Sequence, residues 1–413
     1  KALKKSIKRK QKAILTVAVV VCVALLAGLK YFNMLGGIVN SVSGLVCSKS
    51  LVPIINIALP LGISYYTLMA VSYVVDVSRK AVKAEKNPLR VLLFICYFPH
   101  IVEGPFDTYS NLAPQFKEHH KFNYDAFMDA LSLLLFGLVK KMILADRLAY
   151  ISNEVFDNYS SYSGFSILFG FVAYTFCLYA DFSGFIDIVS GVSRLFGIRI
   201  AENFRRPFFS HTVQEFWRRW HISLSTWFKE YVYIPLGGNR KGLPRQLFNI
   251  LVVWMLTGIW HGAGWNFLFW GLWFAFFLIL EKLFLGDILE SVPKVFGRIY
   301  TLAVVLISWV FFALESPGEI LAYLQAMFGM NGIGPVNSLA MFLCNEYLVL
   351  LVIALVACLP LGSRLVHALK SSKTGPAMAL YRLGEKVIPA VLLLLSVAYM
   401  VDASYNPFLY FRF

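Results

Sequence analysis

Charge is what this sequence has least of. Only 15% of its 413 residues are Asp, Glu, Lys or Arg, while 58% are hydrophobic. A soluble globular domain carries about 25% charged and about 45–50% apolar residues. So few charges cannot clothe a water-facing surface, and a mean hydropathy of +0.66 points to a multi-pass membrane protein. Cysteine is also sparse. Cys22, Cys47, Cys96, Cys177, Cys344 and Cys358 are scattered, with no C-x-x-C pair, which argues against a zinc ribbon or a disulfide framework; no metal is expected. Nor is there a Walker loop, an H-E-x-x-H helix, a G-x-G-x-x-G turn in a suitable setting or a G-x-S-x-G elbow, which removes the common signatures of nucleotide, zinc-protease and serine-hydrolase chemistry. No internal repeat or low-complexity linker divides the chain, so one integral membrane domain over residues 1–413 is the simplest partition.

The charge that is present is lopsided, with 38 Lys+Arg against 23 Asp+Glu and a net charge of +15. In a chain this apolar the excess marks cytoplasmic loops and affinity for anionic membrane lipids, not nucleic acid. Two stretches concentrate it. Lys1–Lys12 holds seven basic residues. It opens into an apolar run with no small-residue cleavage site, so it is no signal peptide; further spans are expected before Lys1. Between Arg199 and Arg245 nine basic residues face only Glu202, Glu215 and Glu230, so 199–245 is expected to be a cytoplasmic basic region.

A bilayer span needs about 20 apolar residues, which leaves room for about ten or more. The candidates are 13–29, 51–75, 91–103, 128–151, 163–180, 183–197, 247–262, 265–283, 298–314, 347–361 and 387–403. Of these, 91–103 and 183–197 are too short to cross comfortably, which suggests re-entrant or tilted helices beside a cavity. Val213 to Tyr231 carries Phe216, Trp217, Trp220, Leu224, Trp227 and Phe228 at helical spacing, the pattern of one amphipathic helix lying in the interface.

Seven histidines are present. His119 and His120 lie in a charged loop, His367 beside a basic stretch, and His100 and His211 near span ends. His221 and His261 stand apart. His221 sits on the apolar side of the 213–231 pattern, where it reads either as an interface ring beside arginines or as part of a site. His261 ends an apolar run, with Gly258, Gly262 and Gly264 around it. Ionisable groups in spanning segments are expensive, about 2.5–3.5 kcal/mol when charged, and tend to face a polar interior. Two readings stay open for His261: a neutral ring packed on tryptophan, or a general base whose pKa already lies near operating pH. Asp181 and Asp187 read as structural partners for Arg194 or Arg199, with a proton relay as the other possibility.

These segments together resemble the membrane-bound O-acyltransferase superfamily, in its bacterial polysaccharide O-acetylation (alginate acetylase-like) branch. The resemblance is carried by LPLGISYYTLMAVSYVVDV, YADFSGFIDI, FRRPFFSHTVQEFWRRWHISLSTWFKEYVYIPLGGNRKG, TGIWHGAGWNFLFWGLW and the final NPFLYFRF. It implies an all-α fold, a ring of transmembrane and re-entrant helices around a central funnel, with the histidines near its floor. It implies that His261 is the catalytic histidine and that His221 is its companion. The implied activity is O-acyl transfer from a cytoplasmic thioester, acetyl-CoA as donor, to an extracytoplasmic cell-wall polysaccharide or exopolysaccharide, in a bacterial plasma membrane. Arg205, Arg206, Arg218, Arg219 and Lys229 are the candidates to attract the phosphate-rich donor. The aromatic tail implies that Tyr410 relays the acyl group to an extracytoplasmic SGNH-type transferase or esterase; the plainer reading is an aromatic interface belt. Rival readings are D-alanyl transfer to teichoic acid and a proton-coupled transporter.

Overall fold

The computed structural model describes residues 2–47, 50–55, 59–359, 361–372 and 375–402. Among the described residues every regular element is helical, with one isolated bridge between Phe204 and Trp220. The α-helices run in order α1 (Ala2–Lys30), α2 (Phe32–Cys47), α3 (Ile63–Arg79), α4 (Pro88–Ile95), α5 (Phe98–Ile101), α6 (Tyr109–Gln115), α7 (Tyr124–Val139), α8 (Asp146–Asp157), α9 (Gly164–Leu195) and α10 (Val213–Trp217). They continue with α11 (Ile222–Phe228), α12 (Leu243–His261), α13 (Trp265–Leu280), α14 (Gly286–Ser291), α15 (Lys294–Ala313), α16 (Pro317–Met327), α17 (Ser338–Cys358), α18 (Leu361–Ser371) and α19 (Gly375–Asp402). Among the described residues, six stretches are long and apolar enough to cross a bilayer: Arg9–Lys30, Gly164–Leu195, Trp265–Ser291, Lys294–Ala313, Ser338–Cys358 and Gly375–Val401.

The chain forms two compact units. One comprises Lys1–His120, Gly197–Ala201 and Ser223–Gly264; the other Lys121–Phe196, Glu202–Ile222 and Trp265–Phe413. The core of the first unit is aromatic. Tyr65 stacks on Phe106 with ring centroids 5.0 Å apart, and Trp260 meets both rings edge-on. Trp227 on α11 donates its indole N–H to the Leu68 carbonyl of α3, 3.1 Å away.

The second unit is organised around α9, a helix of 32 residues. The sequence suggested two separate segments there, 163–180 and the shorter 183–197. The structure instead runs one helix through the polar stretch YADFSGFIDI, because that stretch packs on α7 instead of facing lipid. The two helices touch through glycine. A methyl group on Gly137 would lie 2.6 Å from the Gly184 carbonyl, and one on Gly191 would lie 2.7 Å from the Leu134 amide. Small residues are what let helix backbones approach this closely.

The acids of that stretch find lysines, not the expected Arg194 or Arg199. A π-helical turn, Lys140–Ala145, follows α7. From it Lys140 reaches Asp187 at 2.6 Å, and Lys141 reaches Asp181 at 2.7 Å and Asp146 at 2.9 Å. The pairs lock α7, the π turn and α9 together, in accord with the structural reading of both aspartates.

Candidate functional site

The single amphipathic helix expected over 213–231 is interrupted, and the interruption is His221. Thr212 caps α10, its hydroxyl accepting from the Glu215 amide at 3.0 Å, and the Glu281 carboxylate accepts from the Val213 and Gln214 amides at 2.6 and 3.0 Å. After Trp217 the chain leaves the helix because its amides and carbonyls pair with another segment. The Arg205 amide donates to the Arg219 carbonyl at 2.8 Å, and the Ile222 amide donates to the Asn203 carbonyl at 3.0 Å. His221 adopts φ +46, a left-handed conformation that costs a non-glycine residue about 1–2 kcal/mol. The helical pattern resumes in α11 and a π turn, Lys229–Tyr233.

His221 is 1% exposed. Its Nδ1 lies 3.2 Å from Asn203 Oδ1, and an amide oxygen only accepts, so Nδ1 carries the proton and Nε2 the lone pair. Phe182 packs edge-on to the ring at 4.9 Å. Burial pushes the His221 pKa down to about 3, so the ring is neutral at any working pH.

Beside this segment, in the same unit, lies a cavity of about 770 Å³ lined by Tyr179, Glu202, Phe204, Arg205, Arg206, Glu215, Arg218 and Arg219. Four of the five cations singled out in the sequence therefore share one cavity. Its size falls within the range of small-molecule sites, about 300–1,000 Å³. Arg205 pairs with Glu202, Arg219 pairs with Glu215, and Arg218 donates to the Gln214 side chain at 3.2 Å. His211 also holds Glu215, at 2.6 Å. Lys229 belongs to the other unit and does not line this cavity.

His261 is the last residue of α12 and is 6% exposed. Trp260 lies edge-on to it at 5.0 Å and is itself boxed by Tyr65 and Phe106. The Phe106 amide donates to Ser223 Oγ at 3.0 Å, tying the loop after α5 to α11. Gly262 is extended, at φ −163, a conformation open to any residue, so backbone freedom does not explain that glycine. Helix α1 ends against the same point: Lys30 Nζ donates to the Trp260 and His261 carbonyls at 2.8 and 3.1 Å, and the Tyr31 hydroxyl donates to the Ile259 carbonyl at 2.5 Å.

Sequence reasoning passed over Lys30, Tyr31 and Asn203. Only Lys30 left a signal, as a cation closing an apolar run. His100 was also underrated. It is 1% exposed on the short α5, with no hydrogen-bond partner for either ring nitrogen among the described residues, and burial pushes its pKa down to about 3. Tyr410 and the rest of NPFLYFRF lie outside the described residues. Among the described residues no group of three or more His, Cys, Asp or Glu side chains is placed to hold a metal ion.

A model of the membrane-bound O-acyltransferase family matches residues 8–317. A probable alginate O-acetylase of Azotobacter vinelandii is 32% identical over 428 residues, covering 97% of this chain and 84% of its own. Its counterpart in Pseudomonas putida is 33% identical over 406 residues, 94% of this chain and 82% of the relative. A peptidoglycan O-acetyltransferase of Helicobacter pylori is 33% identical over 314 residues, 69% of this chain and 60% of that protein.

Proposed function

Because the chain belongs to the membrane-bound O-acyltransferase family, we propose that it carries an acetyl group from a cytoplasmic thioester, acetyl-CoA, to an extracytoplasmic polysaccharide hydroxyl. It is a multi-pass membrane O-acyltransferase acting in polysaccharide O-acetylation. The observation that carries this reading is likeness to an O-acetylase over 97% of the chain. The fold expected for it is a ring of helices around a funnel.

His261 is the general base. It takes the proton of the attacking hydroxyl as that oxygen forms a bond to the thioester carbonyl carbon. The carbon–sulfur bond then breaks, and the departing thiolate recovers the proton from His261. The position of His261 supports this role. Helices α1 and α12 both start from basic stretches and end together at Lys30 and His261. Basic ends mark the cytoplasmic side, and the 19 residues of α12 span about 28 Å. That length sets His261 well away from the basic start of α12, which suits meeting a hydroxyl that arrives from the other side.

Arg205, Arg206, Arg218 and Arg219 attract the donor's phosphates, since guanidinium suits phosphate geometry; their cavity has room for part of such a molecule. Lys229 adds charge to the same basic stretch of the sequence, 199–245. His221, neutral and held by Asn203, positions instead of titrating. Tyr410 takes the acyl group as a phenyl ester and hands it to an extracytoplasmic SGNH-type transferase, because a polymer cannot enter a narrow funnel. Splitting one transfer into two is the general gain of covalent relay.

The test is reconstitution in liposomes with radiolabelled acetyl-CoA supplied on one side and a hydroxyl acceptor on the other. Label on the acceptor is the expected result. Ion flux with no dependence on the thioester would instead identify a proton-coupled transporter and end this reading.

A further inference from the structure

An α-helix leaves its last four carbonyls without intrahelical partners. The C-terminus of α12 is such an end, and it is where His261 sits. Nothing in α12 itself resolves the problem, because Gly262 turns away in an extended conformation. Two consecutive residues at the end of α1 resolve it from outside. Tyr31 donates to the Ile259 carbonyl, and the Lys30 ammonium bridges the Trp260 and His261 carbonyls. Three of the four orphan acceptors are thus met by one two-residue clamp.

Chemistry favours a lysine in this place. An ammonium has three donors and no acceptor, so it can serve two adjacent carbonyls at once. Its charge complements the negative end of the helix dipole. A cation at the end of an apolar span is costly unless it has such partners, so Lys30 and the α12 terminus satisfy each other. The contact is also remote in sequence, 231 positions from Lys30 to His261. The backbone of the histidine is therefore set by a helix that shares no chain segment with it.

We propose that Lys30 is a positioning residue for acyl transfer: with Tyr31 it closes the C-terminus of α12 and holds the His261 backbone where the ring meets the acceptor hydroxyl. The inference rests on the reading of His261 as the base. It assigns to the first helix, which carries none of the family-like motifs, a direct part in shaping the site.

The test uses the full-length protein in liposomes with acetyl-CoA and a hydroxyl acceptor. Lys30→Met keeps the stem and removes every donor; Lys30→Arg restores donors and charge; Tyr31→Phe removes one prong; His261→Ala is the reference. A misplaced catalytic group costs on the order of 100-fold. The expected result for Lys30→Met is a fall in kcat of about 10- to 100-fold with the KM for acetyl-CoA unchanged. Lys30→Arg should recover most of the rate, and Tyr31→Phe should lose less than Lys30→Met. Adding Lys30→Met to His261→Ala should cost nothing further. Full kcat in Lys30→Met beside an inactive His261→Ala overturns the clamp alone. Activity retained in His261→Ala overturns the reading beneath it and the clamp with it. Should Lys30→Met fail to fold, the comparison passes to Tyr31→Phe and Lys30→Arg; wild-type kcat in Tyr31→Phe with no rescue of folding by Lys30→Arg also overturns the proposal.

Discussion

Asn203 holds His221 at two points, accepting from its ring through the side-chain oxygen and from the next amide, that of Ile222, through the backbone carbonyl. Orientation, tautomer and left-handed backbone are thereby fixed from one residue. Asn203→Ala leaves a buried ring N–H without this acceptor, a loss of about 1–3 kcal/mol. A lower detergent melting temperature is expected, together with reduced activity. If both stay at wild-type values, Asn203 is a bystander.

His221→Gln keeps an amide in place of the ring and removes the imidazole. Because burial holds His221 neutral, with a pKa of about 3, it does not supply the acid limb of a pH–rate profile near neutrality. The variant should therefore lose about tenfold in rate while that limb stays at the same pH. A moved limb would make His221 the titrating group.

His261→Ala should reduce acyl transfer by about 10²–10⁴-fold, the usual contribution of a general base, with expression and melting near wild type. The loss should exceed that in His221→Ala. Steady-state transfer rates of the two purified variants decide the order, and the reverse order would exchange their roles.

Neutralising Arg218 and Arg219 to Gln should raise the KM for acetyl-CoA. Each charge is worth about 1 kcal/mol at close range in water, so a rise of about fivefold per arginine is expected. The rise should shrink as salt is added, because screening weakens the attraction. Lys229→Gln is the comparison, since Lys229 does not line the cavity. An equal shift at Lys229 would reduce the effect to general surface charge.

Acid stability has a separate source. Glu85 accepts from the Asn87 amide at 3.2 Å and from Lys117 at 3.0 Å, which hold its carboxyl down to about 2 from an ordinary 4.5. A depressed carboxylate stabilises the fold above its unfolded pKa and loses that contribution as pH falls through the folded value. Glu85→Gln should therefore melt lower than wild type at pH 7, and the gap should close between about pH 4.5 and pH 2. A constant gap across that window would show that charge is not the cause.

Tyr410→Phe keeps the aromatic tail and deletes only the hydroxyl. Polymer O-acetylation should stop, while acyl transfer to a small soluble alcohol continues. Wild-type polymer acetylation in this variant would leave the tail as an anchor.

Much of this was legible in the sequence because bilayer chemistry is blunt. Apolar length located α1, α13, α15, α17 and α19, while the arginines of 205–219 stood out only as charge, with no sign of the cavity they line. What failed did so for tertiary reasons. The 163–197 region looked divided near Asp181, yet lysines from a neighbouring turn pair with Asp181 and Asp187 inside one continuous helix. The 213–231 pattern looked continuous because periodicity is blind to a backbone partner such as Asn203. The clamp on α12 left almost no trace, since a contact spanning 231 positions has no period.

The Lys140–Asp187 and Lys141–Asp181 pairs also bear on membrane insertion. Each charge released alone into lipid would cost about 2.5–3.5 kcal/mol, and the four sit on the turn after α7 and on α9, with α8 between them. Neither segment is a good lodger in the bilayer without the other. Pairing between the turn after α7 and α9 therefore removes charge that neither could carry cheaply into a bilayer alone.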